Sequence, residues 1–231
     1  MKNSVAIITA RGGSKRIPRK NIREFCGEPM ITYPIKAAIK SGLFSEVMVS
    51  TDDEEIAEIA QKNGAQVPFL RSKENSDDFS TTSDVLKEVL AEYKKIGKSF
   101  EHACCLYPTA VFANEEKLKQ AAKYFIESNA DSLIPVVQFS FPIQRALKIE
   151  DNLLKFFWPE NVAKRSQDLE KSFHDSGQFY FFKTNIFELK KDLFNSKTIP
   201  FELKESEVQD IDNEEDFKIA EIKYKILNNL K

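Results

Sequence analysis

Histidine and cysteine are scarce in this sequence. Two histidines and three cysteines in 231 residues, with no Cys-x-x-Cys pair, leave no zinc signature. Three cysteines, two of them adjacent at Cys104 and Cys105, do not make a disulfide framework. They sit in "HACCLYP", which reads as a buried strand with reduced thiols, the state expected in the cytoplasm. An excess of one charge is also missing. The 34 basic and 36 acidic residues leave a net charge of −2, which argues against broad binding to nucleic acid or to an acidic membrane. No apolar stretch approaches the length of a bilayer span. The first apolar run, residues 5–10, is too short for a signal peptide and has no cleavage pattern. There is no internal repeat and no low-complexity linker. The expectation is a soluble, cytoplasmic protein with one α/β domain over residues 1–231.

What is present is an alternation of strands and helices. "SVAIITA" reads as a buried strand. "ITYPIKAAIKSG" reads as a helix with Ile31, Ile35, Ala38 and Ile39 on one face, Pro34 in its first turn and Gly42 at its end. "EVMVS" is a second strand. In "TDDEEIAEIAQKNG", Thr51 or Asp52 is the expected N-cap, acids fill the first turn and Gly64 terminates. A polar loop, "RSKENSDDFSTTSD", leads to a helix over 85–93. "HACCLYPT" is a strand, 114–127 a helix and "DSLIPVV" a strand. This order predicts an α/β protein with an open, mostly parallel sheet and helices on both faces. The rhythm breaks near Gln138. "IQRALKIEDNLLKFFWPEN" reads as an aromatic-rich hairpin turning at Asp151-Asn152, so residues 138–182 are expected to form a β-rich arm. "GQFYFFK" is a strand, 184–193 a helix, and "VQDIDNEEDFKIAEIKYKIL" an extended piece feeding a last helix.

Against the near-neutral background, "ITARGGSKRIPRKN" (residues 8–21) packs five basic side chains and two glycines into fourteen positions directly after the first strand. In an open parallel sheet, ligands sit beyond the carboxyl ends of the strands, where this loop is placed. Gly12 and Gly13 permit positive φ and close backbone approach, so that successive N–H groups can face phosphate oxygens. Arg11, Lys15 and Lys20 add cationic contacts. The better-known glycine patterns fail. G-x-G-x-x-G would need glycines at Ser14 and Ile17, the P-loop pattern is absent, and the nucleophile elbow beginning at Gly12 and Ser14 meets Arg16 where its last glycine belongs.

A second constellation lies near the other end. In an extended "VQDIDNEEDF", Asp210 and Asp212 face the same side. Two carboxylates converging at about 4 Å repel by roughly 4 kcal/mol at an effective dielectric of 20. A divalent cation removes that penalty, and oxygen ligands suit Mg²⁺. Asp212 or Asn213 could instead cap the final helix.

"ARGGSKRIPRKN" resembles the signature of the CMP-sialic acid synthetase (acylneuraminate cytidylyltransferase) family. The resemblance covers nearly the whole chain. It implies a Rossmann-like nucleotide-diphospho-sugar transferase fold and transfer of CMP from CTP to the anomeric hydroxyl of a nine-carbon 2-keto sugar acid, with release of pyrophosphate. It also implies that the 138–182 arm makes a homodimer. Ala10, Arg11, Gly12, Gly13, Ser14, Lys15, Lys20, Asn21, Arg71, Ser80 and Thr81 are then expected to bind the nucleotide, with Asp77 beside it; Ser80 and Thr81 could equally be helix caps. Arg11, Lys20, Asp210 and Asp212 are expected to be catalytic, the two aspartates holding Mg²⁺. "LYPTA" places Tyr107 where sialic-acid members usually have glutamine, a departure from plain sialic acid, with Thr109 beside it. In "KRSQDLEKSFHDSGQFYFF", the resemblance implies that Arg165, Gln167, Asp168, His174, Asp175 and Gln178 bind the sugar, and the wording is similar to the branch acting on pseudaminic acid. Legionaminic, N-acetylneuraminic or ketodeoxyoctonic acid remain alternative substrates, and a non-catalytic nucleotide-binding module is the rival of another class.

Overall fold

The apolar runs are strands laid side by side. The computed structural model describes every residue except 2, 196 and 231. β1 (Ser4–Thr9) is followed by the basic loop and a two-stranded antiparallel pair, β2 (Glu24–Phe25) and β3 (Glu28–Pro29). Then come α1 (Thr32–Ser41), β4 (Glu46–Ser50), α2 (Glu54–Lys62), α3 (Thr82–Lys95), β5 (His102–Leu106), α4 (Glu115–Glu127) and β6 (Ser132–Gln138). The hairpin β7 (Leu147–Glu150) and β8 (Leu153–Phe156) precedes β9 (Phe173–Asp175), β10 (Phe179–Lys183), α5 (Thr184–Lys190), β11 (Thr198–Leu203) and α6 (Glu214–Leu227).

The main sheet runs β11-β6-β10-β5-β1-β4, with β9 also paired to β6. β1 is parallel to β4 and β5, and β11 is parallel to β6, but β10 is antiparallel to both of its neighbours. The sheet is therefore mixed, with five strands pointing one way. β9 and β10 lie antiparallel along the same strand, β6, interrupted at Ser176-Gly177-Gln178, where Gly177 takes a φ of +63°. α1, α2 and α4 pack on one face against Ala6, Ile8, Cys104 and Phe181. α3 and α5 pack on the other against Ile7, Met48, Cys105 and Phe182. Cys104 and Cys105 are free core thiols, and burial pushes Cys105 up to about 12.

Several expectations change in detail. α2 is capped by Asp53, whose carboxylate accepts the Ile56 N–H, rather than by Thr51 or Asp52. α3 begins three residues earlier than 85. β11 was not expected from the sequence; its Pro200 fits because the strand lies at the sheet edge. The hairpin turns at Asp151-Asn152 as expected, both residues left-handed at φ 54° and 60°. The end of the 138–182 segment returns to the main sheet as β9 and β10, so residues 139–172 carry its excursion.

A third apolar cluster decides where the site forms. Ile17 from the basic loop, Phe25, Met30, Val111, Phe112, Ile211 and Phe217 are all buried together. Phe25 meets Tyr33, Phe217 and Tyr224 edge to face at 5.4–5.6 Å. Each such buried side chain contributes about 1.5–3 kcal/mol. The cluster fastens the first loop of the chain to the segment before its last helix.

Candidate active site

β1, β4 and β5 are parallel, so the loops leaving them share one edge of the sheet. A cleft of about 370 Å³ opens there. Arg11, Ser14, Lys15, Lys20 and Asn21 line it from the basic loop, Tyr107 and Thr109 from the end of β5, and Asp210 and Asp212 from the far end of the chain. Arg71 and Ser80 complete the set of expected residues in the cleft. Thr9, Arg16, Thr82, Val85 and Pro108 also line it. Of these, Thr82 was read only as part of the polar loop before a helix over 85–93.

The acid pair owes its direction to the residue between. Ile211 is fully buried in the third cluster, and its flanking carboxylates both line the cleft. Asn213, not Asp212, caps α6, in a reciprocal box with Asp216. Asp212 is therefore available, and pairs with Arg16 at 2.7 Å. Among the described residues no side chain donates a hydrogen bond to the Asp210 carboxylate. Partial burial, and then the neighbouring Asp212, push its pKa above the usual carboxylate value. Lys20 donates to the Ile211 carbonyl, and burial lowers its pKa against the opposing pull of Asp212 and Asp210.

A basic loop and an acidic pair some 190 positions apart in sequence thus face one cleft, the arrangement needed to hold a polyphosphate and a divalent cation together. Residues 5–225 match the family model described as cytidylyltransferase. The chain belongs to the cytidylyltransferase family. A pseudaminic acid cytidylyltransferase of Campylobacter jejuni is 43% identical over 227 residues, covering 98% of this chain and 97% of the relative. A protein of Helicobacter pylori, named as pseudaminic acid cytidylyltransferase and UDP-2,4-diacetamido-2,4,6-trideoxy-beta-L-altropyranose hydrolase, is 35% identical over 94% of this chain and 42% of its own length. The solved structure of CMP:2-keto-3-deoxy-manno-octonic acid synthetase complexed with CTP superposes with a TM-score of 0.70 at 16% identity, over 99% of this chain and all of that one. That likeness shows the α/β nucleotidyltransferase fold.

In this cytidylyltransferase the basic loop is organised by carboxylates. Arg11 Nη1 donates to the Asp77 carbonyl at 2.6 Å and lies 2.8 Å from the Asp78 carboxylate, which also pairs with Lys15. Asn21 donates its amide to the Arg11 carbonyl at 2.8 Å and so clamps the loop. Neither Gly12 nor Gly13 is at positive φ. Gly12 is crowded, since a Cβ there would stand 2.8 Å from the Asp53 carboxylate and would have to displace it, and its N–H donates to Asp52 at 2.9 Å. Gly12, Gly13 and Ala10 do not line the cleft, and Ala10 is fully buried core.

Beyond the loop, Arg71 is buried, with Nε 3.0 Å from the Ser50 hydroxyl and a second nitrogen on the Ser50 carbonyl. Burial lowers its pKa to about 10. Glu88 ties down the start of the following loop by accepting from the Ser72 N–H at 2.7 Å and hydroxyl at 2.8 Å. Ser80 donates to Asp77 at 2.6 Å. Thr81 lies outside the cleft because its hydroxyl caps α3.

The residues expected to bind sugar divide. Tyr107 and Thr109 are in the cleft, whereas Arg165, Gln167, Asp168, His174, Asp175 and Gln178 do not line it within a single chain. Arg165 pairs with Asp168 at 2.7 Å on an exposed turn. His174 Nδ1 lies 2.9 Å from the Asp175 carbonyl, and Asp175 accepts the Tyr180 hydroxyl at 2.8 Å. Gln178 is buried and donates to the Glu207 carbonyl at 2.9 Å.

Proposed function

We propose that the enzyme transfers CMP from CTP to the anomeric hydroxyl of pseudaminic acid, a nine-carbon 2-keto sugar acid, and releases pyrophosphate. The observation that carries this reading is the shared cleft of Arg11, Lys15 and Lys20 with Asp210 and Asp212. The choice of acid is supported by the 43% identical relative and by Tyr107. Arg11, Lys15 and Lys20 hold the β- and γ-phosphates, with the triphosphate replacing Asp78 on Arg11 and Lys15. The hydroxyl oxygen bonds to the α-phosphorus as the bond from that phosphorus to the bridging oxygen breaks, and the same cations stabilise the departing pyrophosphate. Asn21 fixes the loop that makes these contacts, and Arg71 and Ser80 border the nucleoside.

Asp210 and Asp212 fit a hard divalent cation such as Mg²⁺. They are oxygen donors on one side of an extended segment, and among the described residues no side chain donates a hydrogen bond to Asp210, whose pKa partial burial and then Asp212 raise. Among the described residues no third His, Cys, Asp or Glu joins them, and Asp210 and Asp212 would hold the ion from the protein's side. When bound, the ion supplies charge neutralisation at the α-phosphate. His174 stands outside the cleft, which leaves Asp212, acting through water, as the candidate to take the hydroxyl proton.

The arm is the proposed homodimer contact, and dimerisation is the route by which Arg165, Gln167 and Asp168 reach sugar. Among the described residues no helix is long and apolar enough to cross a membrane, and the free thiols suit the cytoplasm. Mass spectrometry of products from CTP, Mg²⁺ and a mixture of nine-carbon acids tests the reading. CMP-pseudaminic acid as the main product supports it, and exclusive formation of CMP-legionaminic or CMP-N-acetylneuraminic acid overturns the choice of acid.

A further inference from the structure

The helix bordering the cleft opens with two adjacent threonines that do different things. Thr81 caps α3. Its hydroxyl accepts the Asp84 N–H at 3.2 Å, and the Asp84 carboxylate accepts the Thr81 N–H at 3.3 Å. The helix start is therefore satisfied without Thr82. The Thr82 hydroxyl instead lies 2.9 Å from the Tyr107 hydroxyl, and both residues line the cleft.

Tyr107 is held on two further sides. Its backbone N–H donates to the Gln178 carbonyl at 2.9 Å. Its ring meets Tyr180 edge to face at 5.4 Å. Tyr180 is itself anchored by its hydroxyl on Asp175. The ring is thus fixed, and Thr82 and Tyr180 both border its hydroxyl. Two hydroxyls bring two protons, and the bond between them uses one. The Tyr180 oxygen, whose own proton is on Asp175, and an acceptor brought into the cleft compete for the other. Burial raises the Tyr107 pKa, so the phenol stays neutral and keeps its proton at physiological pH.

We propose that Thr82 is a positioning residue for Tyr107, and that the pair presents one O–H donor to an acceptor oxygen of the acid substrate. This rests on the reading that CTP and a sugar acid occupy this cleft together. A site built to donate a hydrogen bond discriminates against substrates lacking the acceptor, because the donor is then left unpaired. The pair would therefore select among acids without acting on CTP.

The test is initial-rate pyrophosphate release by Thr82→Val, Thr82→Ser, Tyr107→Phe and the Thr82→Val/Tyr107→Phe double variant, with CTP and pseudaminic acid varied separately. Thr82→Val and Tyr107→Phe are each expected to raise KM for the acid about tenfold while KM for CTP stays within about twofold. Thr82→Ser should recover most of the loss, and the double variant should be no worse than either single change. An equal rise in KM for CTP, failure of serine to rescue, additive losses, or variants indistinguishable from an active wild type overturn the pairing. If Thr82→Val does not fold, Tyr107→Phe and Thr82→Ser carry the same comparison. A wild-type enzyme that releases no pyrophosphate with any nine-carbon acid overturns the proposed function, and the pairing with it.

Discussion

The floor of the cleft and the projecting arm use the same kinds of side chain to opposite ends. Beneath the cleft, Ile17, Phe25, Ile211 and Phe217 are at most 3% exposed and lock two distant segments together. On the arm, Ile149 is 76% exposed, Leu154 69% and Phe157 54%. An apolar group already packed defines the geometry of a site. One left in water is available to another surface. The basic loop and the acid pair therefore share a cleft within one chain, while the segment that carries Arg165 and Asp168 leaves apolar side chains in water.

A handful of variants separate the two regions. The largest effect is expected from Asp210→Asn, which should lower turnover by about a thousandfold or more in a pyrophosphate-release assay, with an unchanged circular dichroism spectrum. The same variant has a signature in stability. Because burial and Asp212 raise the Asp210 pKa, the folded chain keeps that proton longer than the unfolded chain does. The wild type therefore loses stability as pH rises from the ordinary value of 3.8 through the raised one, and the Asp210→Asn variant should lack that loss. Thermal melts near pH 7 should show the variant at least as stable as the wild type.

Lys20→Ala should lower kcat/KM for CTP by about a hundredfold, while costing only about 1 kcal/mol of stability through the lost bond to the Ile211 carbonyl. Urea unfolding beside steady-state kinetics measures both. Next, Ile17→Ala should cost about 2–4 kcal/mol and raise KM for CTP, because it loosens the loop from the acid pair. Ile149→Glu with Leu154→Glu should leave the unfolding midpoint of the α/β unit in place and yield monomers in sedimentation velocity; dimers persisting in that variant would contradict the arm as the contact. The smallest effect is expected from Asp78→Asn, which removes the carboxylate paired with Arg11 and Lys15 and should lower KM for CTP about two- to threefold.

Much of this was legible because local chemistry and global position agree. The apolar runs and their alternation with helical periods gave the sheet and its covering helices. The two-residue spacing of Asp210 and Asp212 gave the acid pair. What stayed hidden depends on contacts across the fold. Thr51, Asp52 and Asp53 can each cap a helix, but Asp52 accepts the Gly12 N–H and Thr51 the Asp53 N–H, and Asp53 is the cap. Gly12 looked like a residue chosen for its φ, but its crowding against the Asp53 side chain cannot be seen along the chain. β11 contains Pro200, which argues against a strand until the strand is known to lie at an edge. Arg165, Gln167 and Asp168 were read from wording shared with relatives, and a lone chain does not bring them to the cleft.

Burying Ile211 beside Ile17 also has a bearing on synthesis. On the ribosome, the cations of the first loop emerge some 190 residues before their acidic counterparts. A nascent chain that has reached only β11 lacks the hydrophobic latch that seats Asp210 and Asp212. Cytidylyl transfer should therefore begin only when α6 docks, so that a truncated polypeptide yields no partly working enzyme.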